Sequence, residues 1–452
     1  MKIVQSKFLP SPRALPVFIH VFVLGLALFG LTACDEKPAS KAETVITVQM
    51  FEGPEFKAMV PTAQYWNEHY AKKTGIRIKA TKLNRVGYFG KLHTQLVSGI
   101  ETPDIVHPFS LHLGRIAGYL EPLDPYFADK NLMTAPDGEK LSKGLMLDAA
   151  LRTVAMPDGN IYMVPKDMSE VVLYYRKDLI LKPPETWDEF VILAQNMTRD
   201  INPESPTEFG AVMQGKYEMW TFCAALENFW PLGASVLNAD ATAPGFDRAN
   251  TVNGFKVFET LSRQGVFPPG TENAEYPQVA KIIKSGQVAM AVQWNAFYGV
   301  LTDPAQSPKV HDKFDIAPPP GVKQSDGTIK RQMYVQTIGL AINRNSKNKR
   351  EAMKFLAWAS LGEGAEIYAK AGGSSPVARV WKAKDAQMPY PKLAPWVEAY
   401  GRSPSNHPKL TDLMMVGSSW VQRVIMGDVN SEQAAIGMQK EMAAALEKSE
   451  GN

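Results

Sequence analysis

The sequence predicts two α/β lobes joined by strands. Strand, helix, strand, helix and strand patterns follow one another between residues 45 and 107, an order typical of a parallel sheet flanked by helices. A second region of alternating patterns begins near Asp158 and includes a buried strand at residues 287–294. The 452-residue chain keeps about 419 residues after a predicted cleavage before Cys34, which is enough for two domains.

Residues 1–33 have the pattern of a secretory signal peptide. Three basic residues, Lys2, Lys7 and Arg13, precede a mainly apolar run from Val17 to Leu31. As a helix this run spans roughly 22 Å, short of the roughly 30 Å hydrocarbon core of a bilayer. The alternative is a short membrane anchor that stays attached to the chain.

The apolar run ends in LTAC, which resembles the lipobox of bacterial lipoproteins. The resemblance implies that Cys34 is acylated and that residues 34–44 form the lipidated cysteine and a polar tether. The acyl chains would hold the protein to a membrane, facing the periplasm or the cell exterior. The alternative, a buried thiol in an apolar helix, fits poorly with the charged residues Asp35, Glu36 and Lys37 directly after it.

The first lobe is predicted to begin with a strand at residues 45–50. A helix follows, with apolar positions at helical spacing from Phe56 to Tyr70. Pro61 falls inside this pattern and predicts either a kink or a later helix start. The next predicted elements are a strand at residues 76–80, a helix from about Tyr88 to Ser98 and a strand at residues 104–107.

The second region is predicted to open with a hairpin-like stretch, DGNIYMVP, at residues 158–165. No internal repeat or low-complexity tract interrupts the pattern that follows. The further elements are a long apolar strand at 169–180, a helix capped by Thr186 with Glu189 as its capping-box partner, the strand at 287–294, a linker or exposed loop at 318–331, a strand at 337–346 and an amphipathic helix at 347–360.

Charge and motifs argue against a nucleic-acid-binding protein and against an enzyme. Removal of residues 1–33 takes away three positive charges, so the formal net charge falls from +3 to 0 and no general attraction to nucleic acid is expected. Phosphate-loop, dinucleotide-binding, nucleophile-elbow and CxxC motifs do not occur in the sequence. His107 and His112 lack the sequence partners of a metal site, so neither a metal nor a cofactor is expected. Cys223 is predicted to be a buried apolar thiol.

Aromatic residues beside polar ones are a better indication of function. Trp294 ends a buried strand and precedes Asn295, and Trp220 lies in the helical pattern YEMWTF. An aromatic ring matches the apolar face of a sugar, while amides and carboxylates can bind the hydroxyls. Ligands of open α/β sheets gather at the carboxyl ends of strands, which favours Trp294 as a contact. For any other tryptophan, packing in the core is the alternative.

The order of segments over nearly all of the mature chain resembles family 1, the sugar-binding type, of the extracellular solute-binding proteins that serve bacterial ABC importers. The resemblance rests on segments such as YWNEHYAKKTGIRIK, LVSGIETPDIV, VVLYYRKDLI, SGQVAMAVQW and AGGSSPVAR in that order. It implies a type II periplasmic-binding-protein fold, in which each lobe has a mixed, mainly parallel sheet and hinge strands join the lobes. Lobe 1 is expected at residues 45–165 plus about 332–360, and lobe 2 at residues 166–331 plus about 361–450.

The family resemblance and the aromatic pattern together suggest which residues line a cleft between the lobes. The candidates are Phe51, Glu52 and Gly53 after the first strand, Ser110 after a later strand, Asp167 and Glu170 at the crossover, Trp220, Trp294 and Asn295 on lobe 2, and Gly372, Gly373 and Arg379 in AGGSSPVAR. Glu52 or Ser110 could instead cap a helix. Asp167 and Glu170 could only stabilise the hinge, and the two glycines could only permit a turn.

The function implied by the resemblance is a lipid-anchored receptor that captures a sugar or oligosaccharide by clamshell closure. It would deliver this solute to the membrane permease of an ABC importer, with no bond made or broken. A monomer without cofactor or nucleic-acid partner is expected. The alternatives are the same fold binding a polyol phosphate, a polyamine or a metal complex, and a secreted glycoside-active enzyme, which would need two carboxyl groups about 5 to 9 Å apart.

Overall fold

The computed structural model describes residues 43–383 and 388–447. The predicted signal peptide and the predicted lipidation site, Cys34, lie outside the described residues. Within the described ranges, no helix combines the length and the apolar character needed to cross a bilayer.

The strands and helices of the described residues follow one another in an α/β order. The strands are β1 (Thr44–Phe51), β2 (Ile76–Leu83), β3 (Ile105–Val106), β4 (Val164–Arg176), β5 (Phe209–Val212), β6 (Val288–Trp294), β7 (Phe314–Ala317), β8 (Val322–Lys323), β9 (Ile329–Lys330), β10 (Met333–Ile342) and β11 (Gly401–Arg402). The helices are α1 (Pro54–His69), α2 (Ala71–Thr74), α3 (Tyr88–Val97), α4 (Ser110–Ile116), α5 (Asp124–Phe127), α6 (Asp148–Thr153), α7 (Trp187–Asn196), α8 (Met219–Phe229), α9 (Arg248–Arg263), α10 (Tyr276–Ser285), α11 (Tyr298–Thr302), α12 (Lys349–Leu361), α13 (Glu363–Lys370), α14 (Ala378–Lys382), α15 (Tyr390–Tyr400), α16 (Leu410–Met426) and α17 (Ser431–Glu447).

The main sheet is mixed, which confirms the predicted α/β class. Its strand order is β2-β1-β3-β10-β4-β6-β5, with β7 on β4 and β11 on β10. Strands β1, β2 and β3 are parallel to one another, as the strand–helix alternation of the first hundred residues predicts. Antiparallel pairing begins where β10 joins β3 and continues through β4 to β6.

Strands β4 and β10 run through both halves of the sheet. At one end of β10, Ala341 pairs with Val106 of β3. Toward the other end, Val335 of β10 pairs with Glu170 of β4, and from Val171 onward β4 pairs with β6. Because β3 and β6 are antiparallel, their carboxyl ends point toward each other at the middle of the β4–β10 pair.

Separate groups of helices cover the two halves of the sheet. Helices α1, α12 and α13 pack beside the first half, where the rings of Trp66 and Trp358 lie 5.1 Å apart. Helices α8, α9, α16 and α17 pack beside the second half around the fully buried Phe229. Because α13 contacts α1 and α12, residues 363–370 lie with the first half, which differs from the predicted assignment of residues 361–450 to lobe 2.

Local signals predict several elements well and one badly. Thr186 caps α7 as predicted, by accepting a hydrogen bond from the Glu189 amide at 3.2 Å. The other half of the predicted capping box is wrong, because the Glu189 carboxylate accepts from the Glu185 amide at 2.8 Å and not from the amide of Thr186. Helix α1 begins before Pro61 and continues through it. The predicted hairpin at residues 158–165 is wrong: the chain turns at Asp158 and residues 160–163 stay unpaired until β4 begins. The loop at residues 318–331 contains the short exposed hairpin β8–β9.

Candidate functional site

Aromatic rings gather where β1 and β3 end. Phe51 is the last residue of β1, and Phe109 immediately precedes α4, just after β3. Parallel strands end at the same edge of a sheet, and the two rings stack with centroids 5.5 Å apart and an interplanar angle of 7°. This pair forms an aromatic wall on the first half of the molecule.

The second half contributes two tryptophans that face this wall. Trp294 is the last residue of β6 and Trp220 lies at the start of α8, with ring centroids 5.9 Å apart in an edge-to-face arrangement. Trp220 also contacts Phe109, with centroids 5.3 Å apart, and Trp294 contacts Tyr334 of β10. Phe51, Phe109, Trp220 and Trp294 are called the aromatic face below. The sequence singles out three of its members, and Phe109 is the one that it misses.

Ser110 contributes a hydroxyl beside the aromatic face. It is the first residue of α4, and Phe109 rather than Ser110 occupies the N-cap position, so the alternative capping role is wrong. Its Oγ accepts a hydrogen bond from Nε2 of Gln336 at 2.8 Å. Both side chains are buried, and Gln336 lies on β10 at the centre of the long strand pair. The pair therefore provides a polar group between the two halves.

Asp167 joins three different parts of the chain. The Tyr368 hydroxyl donates to Oδ2 of Asp167 at 2.6 Å, and the Ser374 amide donates to Oδ1 at 3.0 Å. Nε2 of His107 lies 3.5 Å from Oδ2. Burial, followed by the nearby charge of Asp167, holds the pKa of Tyr368 far above its ordinary value, so its proton stays available for donation. Asp167 thus fastens the loop after α13 to β4.

Two side chains near Asp167 have buried polar atoms that make no hydrogen bond within the part of the chain that the structure describes. Oε2 of Glu55 has no hydrogen-bond partner among the described residues, and neither ring nitrogen of His107 has one. The His107 ring lies on Phe51 with centroids 5.2 Å apart. The sequence predicts an ordinary polar role for His107 and gives no signal for Glu55. Their positions depend on which strand ends meet, and no local pattern carries that information.

Glu170 lies on the opposite face of the sheet from Trp294. Val171 pairs with Trp294, and successive residues of a strand point to opposite faces. Oδ1 of Asn295 accepts a hydrogen bond from the Glu170 amide at 3.1 Å, but neither carboxylate oxygen of Glu170 has a partner among the residues described. Burial raises the pKa of Glu170 to about 8. The structure therefore does not bring the Glu170 side chain to the aromatic face.

The remaining candidates after β1 lie at the surface or shape the backbone. Glu52 is exposed and forms an ion pair with Lys82, which lowers the pKa of the Glu52 carboxyl. Gly53, not Glu52, occupies the N-cap position of α1. A Cβ atom on Gly53 would lie 2.6 Å from Oε2 of Glu55, so this glycine leaves room for that carboxylate.

The candidates from AGGSSPVAR have structural contacts. Gly372 has a φ of +94°, a conformation that favours glycine. A Cβ atom on Gly373 would lie 2.0 Å from the Tyr368 ring, so only glycine fits without displacing that side chain. Arg379 pairs with Glu139 at 2.8 Å and Glu366 at 2.7 Å. The structure therefore places this arginine in an ion-pair network rather than at the aromatic face.

Two further predictions concern the thiol of Cys223 and a metal site. Cys223 is fully buried, as predicted, and burial holds the pKa of its thiol well above the ordinary value. Over residues 43–383 and 388–447, no group of three or more His, Cys, Asp or Glu side chains has the arrangement of a metal site.

Comparison with known proteins places the chain in a family. The family model described as bacterial extracellular solute-binding protein matches residues 52–366. A probable amino-acid ABC transporter periplasmic-binding protein of Sinorhizobium fredii is 24% identical over 378 residues, 80% of this chain and 78% of that protein. An erythritol/L-threitol-binding protein of Mycolicibacterium smegmatis is 22% identical over 310 residues, which are 65% of this chain and 62% of the relative.

Solved structures share the fold over almost their entire length. Maltose-bound MalE3 of T. maritima has a TM-score of 0.72 at 21% identity, covering 88% of this chain and 98% of that chain. A ribitol complex of a solute-binding protein from Agrobacterium radiobacter K84 has a TM-score of 0.70 at 20% identity, covering 88% of this chain and 98% of that chain. The type II periplasmic-binding-protein fold that the sequence predicts is therefore confirmed. The chain belongs to the family of bacterial extracellular solute-binding proteins.

Proposed function

We propose that the chain is the solute-binding component of an ABC importer and that it binds a sugar or a polyol reversibly. Similar proteins are described as binding maltose, ribitol and erythritol or L-threitol, which supports this class of solute. The solute passes to a membrane permease. No covalent bond of the solute is made or broken.

The observation that carries this proposal is the aromatic face. Its rings come from both halves of the molecule, at the converging carboxyl ends of β1, β3 and β6. Aromatic rings bind the C–H face of a sugar or polyol, while nearby hydroxyl and amide groups, here Ser110 and Gln336, bind its hydroxyls. Ser110 directly follows Phe109 in the chain, and its hydroxyl accepts a hydrogen bond from Gln336, which supports this assignment.

The two halves of the molecule act as lobes that close over the solute. Strands β4 and β10 connect them, and the loop after α13 is fastened to β4 through Asp167. A small change in twist along these connections opens and closes the cleft, which is the usual form of hinge closure. Lobe 1 corresponds to residues 45–165 plus about 332–360, with α13 added, and the remainder of the described chain forms lobe 2.

The receptor is a monomer anchored to the membrane by lipid on Cys34. The lipobox-like sequence LTAC and the polar tether after it support this anchor. Maltooligosaccharide ABC transporter solute-binding lipoproteins of Streptococcus pneumoniae are 26% identical over 200 residues. The anchor keeps the receptor beside its permease, on the periplasmic or outer side of the membrane. Mass spectrometry of the full chain from a lipoprotein-processing host would show the acyl chains, and an unmodified Cys34 would refute the anchor.

Binding is tested on the chain from Asp35 onward, which retains every described residue. Thermal shift and calorimetry are run against neutral sugars, polyols and, because one relative is named for amino acids, a set of amino acids. We expect a neutral sugar or polyol to bind, and Trp294→Ala to weaken that binding by about 10- to 100-fold through loss of ring contact. Binding of amino acids alone would refute the sugar and polyol class.

A matched substitution separates binding from stability. Trp420 is 7% exposed and Trp294 is 8% exposed, but Trp420 lies on α16, where its indole donates to Glu441. Trp420→Ala removes the same volume and should destabilise the protein without changing its affinity for the solute. Equal affinity losses in the two variants would mean that Trp294 acts only through folding.

A further inference from the structure

Glu55 lies at the start of α1 with most of its side chain buried. It lies in the first helical turn, two residues after Gly53, and its carboxylate folds back over that glycine. Its side chain is 17% exposed, and its Oε2 atom is buried without a hydrogen-bond partner among the described residues. A buried acceptor without a donor is unfavourable, so a group that supplies a donor here stabilises the protein.

The surroundings of Glu55 contain a second unsatisfied group. His107 is fully buried against Phe51 of the aromatic face; its Nε2 lies 3.5 Å from Oδ2 of Asp167, and neither ring nitrogen makes a hydrogen bond within the described ranges. Asp167, which acts electrostatically on Glu55, is already occupied by donors from Tyr368 and Ser374. Burial, followed by the charge of Asp167, raises the pKa of Glu55. The unused hydrogen-bonding capacity therefore belongs to Glu55 and His107.

The neighbouring cations do not satisfy Glu55. Nη1 of Arg85 lies 3.8 Å from Oε2 of Glu55, beyond hydrogen-bond distance, and the Arg85 side chain is 58% exposed above the Phe51 ring. Lys166 donates to the Ala359 carbonyl oxygen and lies on the Tyr368 ring. Two carboxylates thus stand near the aromatic face, and only the exposed Arg85 approaches Glu55.

We infer that Glu55 determines the charge of the solute that the aromatic face accepts. Its carboxylate accepts a hydrogen bond from a hydroxyl or an ammonium group of the solute, beside Phe51 and His107. A solute with its own carboxylate or phosphate group meets the acceptor oxygens of Glu55 and the charge of Asp167, finds no donor there, and is rejected. This inference rests on the proposed function, because it assigns a selectivity to the same site.

The test compares solutes that share a skeleton and differ in charge. The probes are ribitol, ribitylamine and ribonate, then D-mannitol with its 1-amino and aldonic acid counterparts, then maltose and maltobionate. Any other neutral sugar or polyol that binds in the screen is compared with its own acid. Dissociation constants are measured by calorimetry at pH 7 for the unsubstituted protein, Glu55→Gln and Glu68→Gln. Glu68 is an exposed glutamate on the same helix and serves as the matched control.

The expected result is a specificity switch. Neutral or amino solutes bind the unsubstituted protein at least about tenfold more tightly than the acids. Glu55→Gln weakens the binding of neutral and amino solutes by about 10- to 100-fold and reduces the ratio between the dissociation constants of the acids and theirs. Glu68→Gln changes neither the affinities nor this ratio. A loss confined to hydroxyl solutes or to amines identifies which donor Glu55 contacts. A merely structural role for Glu55 would lower all affinities together and leave the ratio of dissociation constants between acids and neutral or amino solutes unchanged.

Two outcomes overturn the inference, and they are distinguishable. Tight binding of the acids, or an unchanged selectivity in Glu55→Gln, refutes the role of Glu55 and leaves the proposed function standing. Failure of every neutral sugar and polyol to bind refutes the proposed function, and the inference with it. Thermal unfolding of each variant confirms that it is folded at the assay temperature.

Discussion

The buried carboxyl of Glu170 makes stability depend on pH in a definite direction. Glu170 is fully buried, its two carboxylate oxygens have no partner among the described residues, and burial raises its pKa from 4.5 to about 8. We predict that Glu170→Gln becomes increasingly stable relative to the unsubstituted protein as the pH rises from 5 to 9. Glutamine keeps the size and polarity of the protonated acid and cannot ionise.

The sign follows from the two protonation equilibria. Because the folded pKa lies above the unfolded value, the contribution of Glu170 to stability is complete below about pH 4.5 and is lost as the pH rises through about 8. Each pH unit in this interval changes the free energy of unfolding by about 1.4 kcal/mol, so the full loss is roughly 5 kcal/mol, of which about 4 kcal/mol falls between pH 5 and 9. The Glu170→Gln protein does not undergo this loss.

Lys166 gives stability a pH dependence of the opposite sign, so the assay must remove its contribution by comparing two proteins that both contain it. Burial lowers the pKa of Lys166 from 10.5 to about 7, so between these values the unfolded chain binds more protons and the folded state gains stability with pH. This term, like that of Glu55, is present in both proteins. The difference between Glu170→Gln and the unsubstituted protein therefore isolates Glu170, whereas the stability of either protein alone does not.

The assay is urea unfolding followed by tryptophan fluorescence at each unit of pH from 5 to 9. The two proteins should be nearly equal at pH 5, and Glu170→Gln should be more stable by about 3 to 4 kcal/mol at pH 9. Glu68→Gln, an exposed Glu→Gln change on α1, is the control. A difference that stays constant or shrinks with rising pH would mean that Glu170 has a hydrogen-bond partner or access to water.

Two further predictions concern stability away from the aromatic face. Asp104→Ala should lower the free energy of urea unfolding by about 3 kcal/mol. The buried carboxylate accepts hydrogen bonds from the amide and the hydroxyl of Thr47, at 2.8 and 2.7 Å, and the substitution removes both. A loss below about 1 kcal/mol would contradict this prediction. Gly373→Ala should lower stability by about 1 to 3 kcal/mol, since its Cβ would meet the buried Tyr368 ring. Gly90→Ala, on α3 with open space around it, is the matched control and should not destabilise. Equal stability of the two alanine variants would refute the steric argument.

Elements with local signals could be predicted from the sequence. The apolar spacing of α3 and the short apolar run of β6 predict these elements to within one residue of the observed bounds. The cap at Thr186 depends only on residues three positions apart, and it forms as predicted. The prediction of a hairpin at 158–165 was wrong because strand-like composition does not supply a strand to pair with. The Tyr162 hydroxyl donates to Asp158 and the Ile161 amide donates to the Asp124 side chain instead.

The side chains of β4 show why the candidate site was only partly predictable. Nearly every residue of β4 is buried, so its sequence lacks the alternation of apolar and polar residues that reveals which face each side chain takes. Sequence reasoning could place Asp167 and Glu170 on the crossover but could not tell that Glu170 points away from Trp294. The position of Arg379 likewise depends on its ion pairs with Glu139 and Glu366, which no local sequence pattern predicts.

The path of the chain through the sheet has a consequence for biosynthesis. The first hydrophobic core contains Ile46 and Trp66, yet it also requires Leu340 and the buried residues of α12 up to Leu361. A growing chain cannot complete this core until about four fifths of its residues have left the ribosome. A protein that is exported as an unfolded chain must cross its membrane before it folds, and this connectivity delays completion of the core. Because β10 and α12 are synthesised late, the first core stays incomplete during most of the synthesis of the chain.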